Sequence, residues 1–455
     1  MQRLVTKKLY EWKDSAFRKP LILRGVRQVG KTWLMMDFAQ KAFPDKFLYL
    51  NFDSDERLGE LFSQTKDPDE ILKTLSFIFG KNIEDGSLLI LDEIQACPDA
   101  IHSLKYFQEK RPGLYVLSAG SLLGLSLAKP RSYPVGKVEF LDIEPMTFKE
   151  FLMADNETVG LANFLDECGE IKQIPDIIFD SMVEALKKYE IIGGMPEPVS
   201  AWCLNTNISE VRKIQQDILT TYIEDVRSHA TSVDAPKILR IWQTLPQILS
   251  REQKRFQYSI IEPRSNARKY GDALQWLIDS RLVRVVHRIN GFGVPISAYE
   301  DPAAFKVYVV DVGLLSRLSK IEPDIILKGS DIFRELKGAL TENMVLQSLC
   351  TQFESSPLYW SMINPSYEVD FLLETGGIIV PIEVKSSTNV KSRSLAKFKS
   401  LHTNDLPLRV RFSLNNLSMD GDLLNIPLFM MDEASRLIDL ALKSLKPAIK
   451  KVHSE

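Results

Sequence analysis

The feature that most constrains this chain is a loop pattern between a short apolar run and a helical stretch. The run at 21–23 predicts a buried strand, and the stretch at 33–42 predicts a helix. Between them the chain follows GxxxxGK[ST], in which glycines let the backbone wrap a phosphate and the helix N-terminus supplies positive potential. The pattern therefore predicts a site for the phosphates of a nucleotide. The predicted nucleotide-binding residues are Gly25, Val26, Arg27, Gln28, Val29, Gly30, Lys31, Thr32 and Trp33.

A second pattern supplies the acids that such a site needs. The four apolar residues 88–91 predict a strand buried on both faces, with Asp92 and Glu93 at its C-terminal end. Lys31 is expected to reach the β- and γ-phosphates, and the Thr32 hydroxyl to ligate Mg²⁺. Asp92 is expected to hold the same Mg²⁺, and Glu93 to polarise the attacking water. The two patterns together predict ATP and Mg²⁺ as ligands, with Lys31 and Glu93 as catalytic residues.

The rest of the chain changes character in steps. Residues 21–140 alternate apolar runs with amphipathic stretches, which predicts a doubly wound α/β domain with a parallel sheet. From about 147 to 230 the pattern is helical, and from 235 to 315 helices precede two short strands, as in a winged helix. After about 330 the chain predicts a helix, a hairpin near 367–385 and further α/β structure.

The predicted hairpin carries a second group of charged residues. With its turn at 374–377, Asp370 lies opposite Pro381 and on the same face as Glu383 and Lys385, because alternate residues of a strand share a face. Diagonal neighbours are roughly 7–8 Å apart, close enough for two carboxylates to share one divalent cation. Lys385 would then stabilise or help to deprotonate a metal-bound water. Such a site suits phosphodiester hydrolysis.

Several motifs together resemble a family of prokaryotic AAA ATPases with a C-terminal domain of uncharacterised function. The resemblance covers most of the chain and is carried by residues 24–32, 91–95, 119–121, 144–151 and 193–197. It implies that Asn51, at a strand end, holds the catalytic glutamate inactive, and that Ser118 or Ser121 senses the γ-phosphate. An ordinary strand-end role is the alternative for each. Lys137 stands where the family often has an arginine finger, which leaves Arg131 as a substitute. A homo-oligomer is implied by analogy.

The charged hairpin resembles the core of PD-(D/E)xK restriction endonucleases. Glu342, on the helix before the hairpin, takes the place of the helical glutamate of that superfamily. The resemblance implies a metal site of Glu342, Asp370 and Glu383 holding a second Mg²⁺ or a Mn²⁺, with Lys385 as a catalytic residue. The alternatives are a nuclease fold used as a scaffold, or a hairpin with a structural ion pair.

A basic stretch in the predicted winged helix suggests contact with DNA. Residues 264–279 resemble a recognition helix, with Ser265 as its N-cap and Arg264, Arg268 and Lys269 available to phosphates beside Tyr270. The alternative is a module that packs against protein.

Bulk properties exclude several classes. A net charge of −3 gives the whole chain no attraction to nucleic acid or membrane, so any such surface must be local. The four cysteines show no zinc-ligand spacing, which argues against a zinc site and a disulfide scaffold. A signal-peptide core and the stretch of about 18 apolar residues that spans a bilayer are both missing. A cytoplasmic protein without membrane association is expected.

These patterns combine into one α/β architecture. The predicted parts are an AAA-type P-loop core (1–155), a helical lid (156–230), a winged-helix domain (231–325) and a restriction-endonuclease-like α/β domain (326–455). The leading hypothesis is an ATPase that drives or gates a DNA-acting winged-helix and nuclease-like arm. The alternative is a regulatory or signalling ATPase switch whose C-terminal domain binds a protein partner without cleaving DNA.

Overall fold

The computed structural model of the chain divides into two groups of residues by their internal contacts. The parallel-sheet unit comprises Arg3–Glu144 and Gln275–Leu282, and the mixed-sheet unit comprises Met1–Gln2, Pro145–Leu274 and Val283–Glu455. The residues that the structure describes are 1–121, 136–251, 254–328, 334–362, 366–388, 392–402 and 406–452, with the backbone alone at 334–335 and 446–452.

The parallel-sheet unit contains five parallel strands in the order β2-β3-β4-β1-β5. The strands are β1 (Leu21–Arg24), β2 (Phe47–Asn51), β3 (Leu88–Asp92), β4 (Tyr115–Gly120) and β5 (Glu139–Asp142). Its described helices are α1 (Thr6–Asp14), α2 (Lys31–Ala42), α3 (Glu56–Gln64), α4 (Pro68–Phe79) and α5 (Pro98–Lys110). The predicted α/β fold with a parallel sheet is confirmed.

The burial of β3 explains why its sequence lacks alternation. All five of its residues are buried, because the strand lies between β2 and β4 and has covering elements on both faces. In parallel strands the carboxyl ends meet at one edge of the sheet. The loop after β1 and the acids at the end of β3 therefore meet at that edge, on either side of β4.

The mixed-sheet unit contains eight strands in the order β12-β13-β11-β10-β9-β8-β6-β7. They are β6 (Val283–Ile289), β7 (Glu300–Val309), β8 (Leu358–Met362), β9 (Tyr367–Thr375), β10 (Ile378–Val384), β11 (Arg409–Ser413), β12 (Ser418–Asp420) and β13 (Leu423–Pro427). Its helices before β6 are α6 (Phe148–Ala154), α7 (Val159–Glu167), α8 (Asp176–Ile192), α9 (Pro196–Asn205), α10 (Ile208–His229), α11 (Ala235–Leu249), α12 (Tyr258–Ile261) and α13 (Ala267–Asp279), the last having residues in both units. The later helices are α14 (Val312–Leu318), α15 (Pro323–Lys328), α16 (Arg334–Gln352), α17 (Arg393–Leu401) and α18 (Ala434–Val452).

The two strands predicted for a winged helix belong to the same sheet as the predicted nuclease-like strands. β6 and β7 form an antiparallel hairpin, and β6 also pairs in parallel with β8 at Arg288 and Tyr359. The winged-helix assignment and the four-part division stay predictions. What the structure adds is one continuous sheet on both sides of the expected boundary at residue 326.

The register of the charged hairpin differs from the expected one. β9 and β10 are joined by the two residues Gly376 and Gly377, and Pro381 pairs with Leu372 instead of Asp370. Because Ile382 pairs with Phe371, continuing the register places Asp370 directly opposite Glu383. The prediction of a four-residue turn was wrong, but the two acids still share one face.

A pair of glycines explains one of the sequence motifs in structural terms. Gly193, with φ +74°, ends α8, and the Gly194 N–H donates to Asp311 Oδ2 over 2.6 Å. The backbones of Met146 and Gly194 are bonded through Met146 N–H and Gly194 O, 2.7 Å apart. The segments 144–151 and 193–197, both part of the family resemblance, therefore meet in the mixed-sheet unit.

Replacing Gly194 with Ala is expected to destabilise the chain. A Cβ there would lie 2.0 Å from Met146 O, so two bonded backbone segments would have to separate, at a cost of about 3 kcal/mol or more. Chemical denaturation followed by circular dichroism measures the loss. The matched control is Gly160→Ala in α7, where a Cβ meets nothing within 4 Å. Equal stability of the two variants would contradict the close approach.

Glu190 in α8 gives a pH-dependent prediction. Burial raises its pKa from 4.5 to about 7, against the opposing effect of Lys337 and Lys187. The folded chain thus holds this proton more tightly than the unfolded chain, so stability falls as the pH rises from about 4.5 to about 7. Glu190→Gln removes this pH dependence. Between pH 4.5 and pH 8, the free energy of unfolding of the variant is therefore expected to rise relative to that of the unmodified chain by on the order of 3 kcal/mol.

The measurement for Glu190 is urea unfolding at both pH values. Glu184→Gln, at an exposed position of the same helix, serves as the control and should show no such difference. The prediction would be contradicted if the difference in the free energy of unfolding between Glu190→Gln and the unmodified chain were the same at both pH values.

Candidate functional site

The loop after β1 has the backbone geometry that a phosphate cradle requires. Gly30, with φ +92°, precedes the first residue of α2, and Gln28 also has a positive φ of 65°. Gly25 lies against β5's continuation, where a Cβ would be 2.4 Å from Ile143 O. Side chains larger than hydrogen do not fit at Gly25, so the sequence requirement for glycine follows from a close backbone approach.

Lys31 is held inside this loop by the loop's own carbonyl groups. Its ammonium donates to Gly25 O and to Val26 O, each over 2.8 Å. Burial lowers the pKa of Lys31 to about 8, although Glu93 and Asp92 raise it. The amine occupies the centre of the cradle, where phosphate oxygens would replace the carbonyl groups as its acceptors.

Thr32 and Asp92 meet as the sequence predicted. The Thr32 hydroxyl donates to Asp92 Oδ2 over 2.7 Å, and the Tyr49 hydroxyl donates to the same oxygen over 2.8 Å. Burial raises the pKa of Tyr49 to about 12, so the hydroxyl stays a donor at neutral pH. Sequence reasoning missed Tyr49. It shares a face of β2 with Asn51, and that alternation was the available signal.

Glu93 lies beside the magnesium-binding candidates in a constrained conformation. Its φ of 50° is left-handed, which is unfavourable for a residue with a side chain. Its Oε2 accepts from Gln95 Nε2 at 2.5 Å and from Ser121 Oγ at 3.2 Å. The structure thus brings Ser121 to Glu93, together with Gln95, the last residue of the segment 91–95, to which the sequence assigned no role.

Asn51 makes other contacts in this state. Its Oδ1 accepts the N–H groups of Asp53 and Ser54, and its Nδ2 donates to the Tyr49 hydroxyl over 3.2 Å. Among the described residues it has no hydrogen bond to Glu93. The restraint of the catalytic glutamate by Asn51 stays a prediction.

Three other residues were named from the sequence for the nucleotide site, namely Trp33, Lys137 and Arg131. Trp33, in the first turn of α2, is 45% exposed. Lys137 is ion-paired with Glu109 over 3.1 Å. Arg131, the alternative arginine, lies outside the described residues.

Arg281 reaches this edge without a signal in the sequence patterns. Its guanidinium is 2.8 Å from Asp142 Oδ1, which also binds Arg24 at 2.8 Å. Asp142 is the last residue of β5 and lies in register with Arg24, directly before the phosphate loop. Burial is the main cause of the lowered pKa of Lys31, and the charges of Arg27 and Arg281 lower it further. The edge therefore carries one more cation than the motifs predict.

A second charged site lies in the mixed-sheet unit and contains the predicted hairpin residues. Glu342 on α16 binds Lys254 through Oε1 and the Tyr308 hydroxyl through Oε2, the latter over 3.2 Å. Lys306 on β7, fully buried, is ion-paired with Glu368 on β9. We call the acids Glu342, Glu368, Asp370 and Glu383 the carboxylate cluster.

Asp370 and Glu383 complete the carboxylate cluster from the two strands of the hairpin. Asp370 Oδ2 accepts the Val384 N–H over 2.8 Å, and Glu383 Oε1 is 3.0 Å from Lys385 Nζ. Burial and the nearby Glu342 raise the pKa of Asp370 to about 7. Although burial alone lowers the pKa of Lys385, Asp370 and Glu383 raise it overall. Lys385 is thus protonated at neutral pH and suited to stabilising negative charge.

The fit of this cluster to a divalent cation is mixed. Carboxylate oxygens are donors that Mg²⁺ and Mn²⁺ prefer, and the buried Glu383 Oε2 has no hydrogen-bond partner in the part of the chain that the structure describes. As they stand, however, no three Asp, Glu, His or Cys side chains in the described ranges are placed to hold a metal ion. The donor set fits, and the present arrangement of its side chains does not.

The predicted recognition helix is only partly available to a nucleic acid. Tyr270 is 1% exposed and its hydroxyl donates to Glu262 over 2.8 Å, so it was wrongly placed beside phosphates. Lys269 binds the same carboxylate, while Arg264 and Arg268 are exposed. The N-cap also differs from the expected Ser265, because Asn266 Oδ1 accepts the Lys269 N–H at 3.3 Å.

Family comparisons agree with the first site. Residues 17–152 match the model of an AAA domain, whereas 183–325 and 337–429 match two models described only as domains of unknown function (DUF8612 and DUF4143). The match spans both nucleotide-site motifs. Residues 17–152 are therefore an AAA domain, and the prediction of an AAA-type P-loop ATPase is confirmed at that level.

Similar proteins are distant. An uncharacterized protein of Methanocaldococcus jannaschii is 23% identical over 366 residues, which are 77% of this chain and 71% of that protein. A Walker-type ATPase of Pyrococcus abyssi has a TM-score of 0.44 at 15% identity, covering 69% of this chain and 94% of its own. The Orc1 protein of Aeropyrum pernix, solved in complex with DNA, has a TM-score of 0.31 at 14% identity, covering 70% and 93%. Within the described ranges, no helix is long and apolar enough to cross a membrane.

Proposed function

We propose that the chain hydrolyses ATP at the loop after β1. The observation that carries the proposal is the convergence of Lys31, Thr32, Asp92 and Glu93 at one edge of the parallel sheet. The start of α2 supplies Lys31 and Thr32, the end of β3 supplies Asp92 and Glu93, and the Thr32–Asp92 hydrogen bond of 2.7 Å joins the two. A loop that only binds a phosphate needs no acid pair opposite it, whereas hydrolysis needs a base beside the magnesium ligands.

Each residue has a defined task in this proposal. Lys31 and the loop N–H groups bind the phosphates, and Thr32 and Asp92 would hold Mg²⁺, which neutralises phosphate charge. Glu93 orients and polarises the attacking water once it is released from Gln95 and Ser121, its present donors. The Ser121 hydroxyl would then be available to hydrogen-bond the γ-phosphate and so to sense its presence. Hydrolysis is expected to depend on the metal.

Removal of the metal tests that dependence. We expect the chain to release phosphate from ATP in millimolar Mg²⁺. In excess EDTA the rate is expected to fall to the level of a blank, and it is expected to return when Mg²⁺ is restored. The control is the same cycle without protein. Turnover that persists in EDTA would contradict the role of Thr32 and Asp92.

We further propose that the mixed-sheet unit provides the DNA-acting arm, with the carboxylate cluster as its reaction centre. Glu342 on α16, Asp370 on β9, Glu383 on β10 and Lys385 directly after β10 follow one another in the order that the PD-(D/E)xK resemblance implies. The register supports this, because continuing it one residue past the Phe371–Ile382 pair sets Asp370 opposite Glu383. The exposed Arg264 and Arg268 offer phosphate contacts.

A plasmid-nicking assay tests the arm. Supercoiled DNA is incubated with the chain and ATP, with Mg²⁺ or Mn²⁺, and relaxed product is expected to depend on the metal and to vanish in Asp370→Ala. Asp420→Ala, an exposed acid on β12, is the matched control. No product under either metal would contradict cleavage by the unmodified chain and favour a regulatory switch that binds a protein partner.

A further inference from the structure

One cation of the carboxylate cluster comes from a different part of the chain than the acids. Lys254 precedes α12, yet its ammonium binds Glu342 in the middle of α16, with only 11% of the lysine side chain exposed. An added Cβ at Gly338, one turn earlier in α16, would lie 3.9 Å from Lys254 Nζ. The ammonium therefore lies along the helix surface that leads to Glu342.

The other two lysines of the site belong to the sheet itself. Lys306 on β7 is paired with Glu368, and Lys385, directly after β10, is paired with Glu383. Both of their partners lie on strands of the sheet. Lys254, in contrast, lies outside the helices and strands, and among the described residues it is the lysine that is ion-paired with the helical acid of the cluster.

Glu342 is a buried acid whose partner is a lysine. The residue is 7% exposed, its Oε1 binds the Lys254 ammonium, and its Oε2 accepts from the Tyr308 hydroxyl. Removing one partner of a buried ion pair is strongly destabilising, because it leaves a buried charge uncompensated. Whatever binds Glu342 must therefore bring positive charge, and the two candidates are a lysine ammonium and a metal ion.

We propose that Lys254 is an internal counter-ion that closes the carboxylate cluster to divalent cations. While its ammonium binds Glu342 Oε1, the helical acid cannot join Asp370 and Glu383 around a metal ion. When Lys254 leaves, Glu342 Oε1 becomes available to Mg²⁺ or Mn²⁺, together with Glu383 Oε2, which has no hydrogen-bond partner among the described residues. The inference rests on the metal-dependent arm proposed above and adds its regulation.

Binding of Mn²⁺ to the full chain without nucleotide tests the counter-ion. Lys254→Met keeps the length of the side chain and removes its charge, and is expected to bind one additional Mn²⁺ at least about tenfold more tightly than the unmodified chain, by isothermal titration calorimetry. Mn²⁺ is also expected to raise the Tm of Lys254→Met and to leave that of Lys254→Arg unchanged. Lys269→Met, which breaks an exposed ion pair with Glu262, is the matched control.

The outcomes separate the counter-ion from the metal site. A gain in Lys254→Met that disappears on adding Asp370→Asn supports both. Equal Mn²⁺ binding by the unmodified chain and Lys254→Met, lost with Asp370→Asn, overturns the counter-ion and keeps the metal site. If no variant binds Mn²⁺ in a way that depends on Asp370, both the counter-ion and the metal site are overturned.

A second measurement covers a variant that does not fold without metal. In that case Lys254→Met is expected to regain its circular dichroism spectrum when refolded with Mn²⁺, because the ion replaces the missing ammonium. The double variant Lys254→Met/Asp370→Asn should not regain it. Failure of Mn²⁺ to restore Lys254→Met would overturn the proposal.

Discussion

ATP binding is expected to weaken about a hundredfold when Lys31 is replaced by Met, since two charge-assisted contacts to phosphate are lost. In the structure this ammonium already lies at the centre of the loop, bound to Gly25 O and Val26 O. Phosphate oxygens are stronger acceptors than these carbonyl groups because they are charged. Methionine fills the same space and offers no donor, so the fold should survive while the affinity falls.

Calorimetric titration with a non-hydrolysable ATP analogue measures the change. Lys137→Met removes a lysine of the same unit that is paired with Glu109, and its affinity should match that of the unmodified chain. Retained affinity in Lys31→Met would overturn the nucleotide site as described.

Turnover is expected to fall by about 10²–10⁴-fold in Glu93→Gln, while the affinity for ATP stays within a few-fold. The amide keeps the size of the side chain but cannot polarise water as a carboxylate does. Glutamine and glutamate have the same backbone, so the left-handed conformation of residue 93, with φ 50°, and the geometry of the nucleotide site are expected to be preserved. A fall in turnover without a fall in binding distinguishes a catalytic base from a binding residue.

The experiment combines phosphate release at saturating ATP with titration of the same samples. Glu109→Gln, an exposed acid of α5, is the control for the change of acid to amide. Turnover within about threefold of the unmodified chain would remove Glu93 from the mechanism and point to another base.

Local patterns could single out the residues that the structure gathers at one edge of the parallel sheet, because each of them obeys a short-range rule. Glycine loops, a buried strand ending in acids and a helix start are all encoded within a few neighbouring residues. The carboxyl ends of parallel strands then bring Thr32 and Asp92 together without further information. The contacts of Tyr49 and Gln95 were missed. Tyr49 belongs to none of the motifs, and the segment 91–95 contains Gln95 without assigning it a role.

The hairpin shows how a local rule can be misapplied. Gly376 and Gly377 both have positive φ, at 56° and 73°. Two consecutive residues with positive φ form the two-residue turn that suits the twist of an antiparallel hairpin. A Gly-Gly pair between two apolar runs favours that turn over a longer one, so the register could have been predicted.

The ion pairs of the carboxylate cluster could not have been predicted from the sequence. Lys254 and Glu342 are joined only because two remote segments pack together, and long flexible side chains have no periodicity that marks their partners. The same holds for Lys306 and Glu368. Periodicity places acids on a face, whereas the identity of their counter-ions depends on tertiary packing.

The parallel pairing of β6 with β8 has a consequence for how the chain can be divided. A fragment that begins at residue 326 would lose β6 and β7 and expose the backbone of β8 as a new sheet edge. Unprotected edges recruit other strands, so such a fragment is prone to self-association. The C-terminal region is thus not expected to fold as a separate fragment when it is cut at residue 326. A fragment transferred to another protein would have to include residues 283–309.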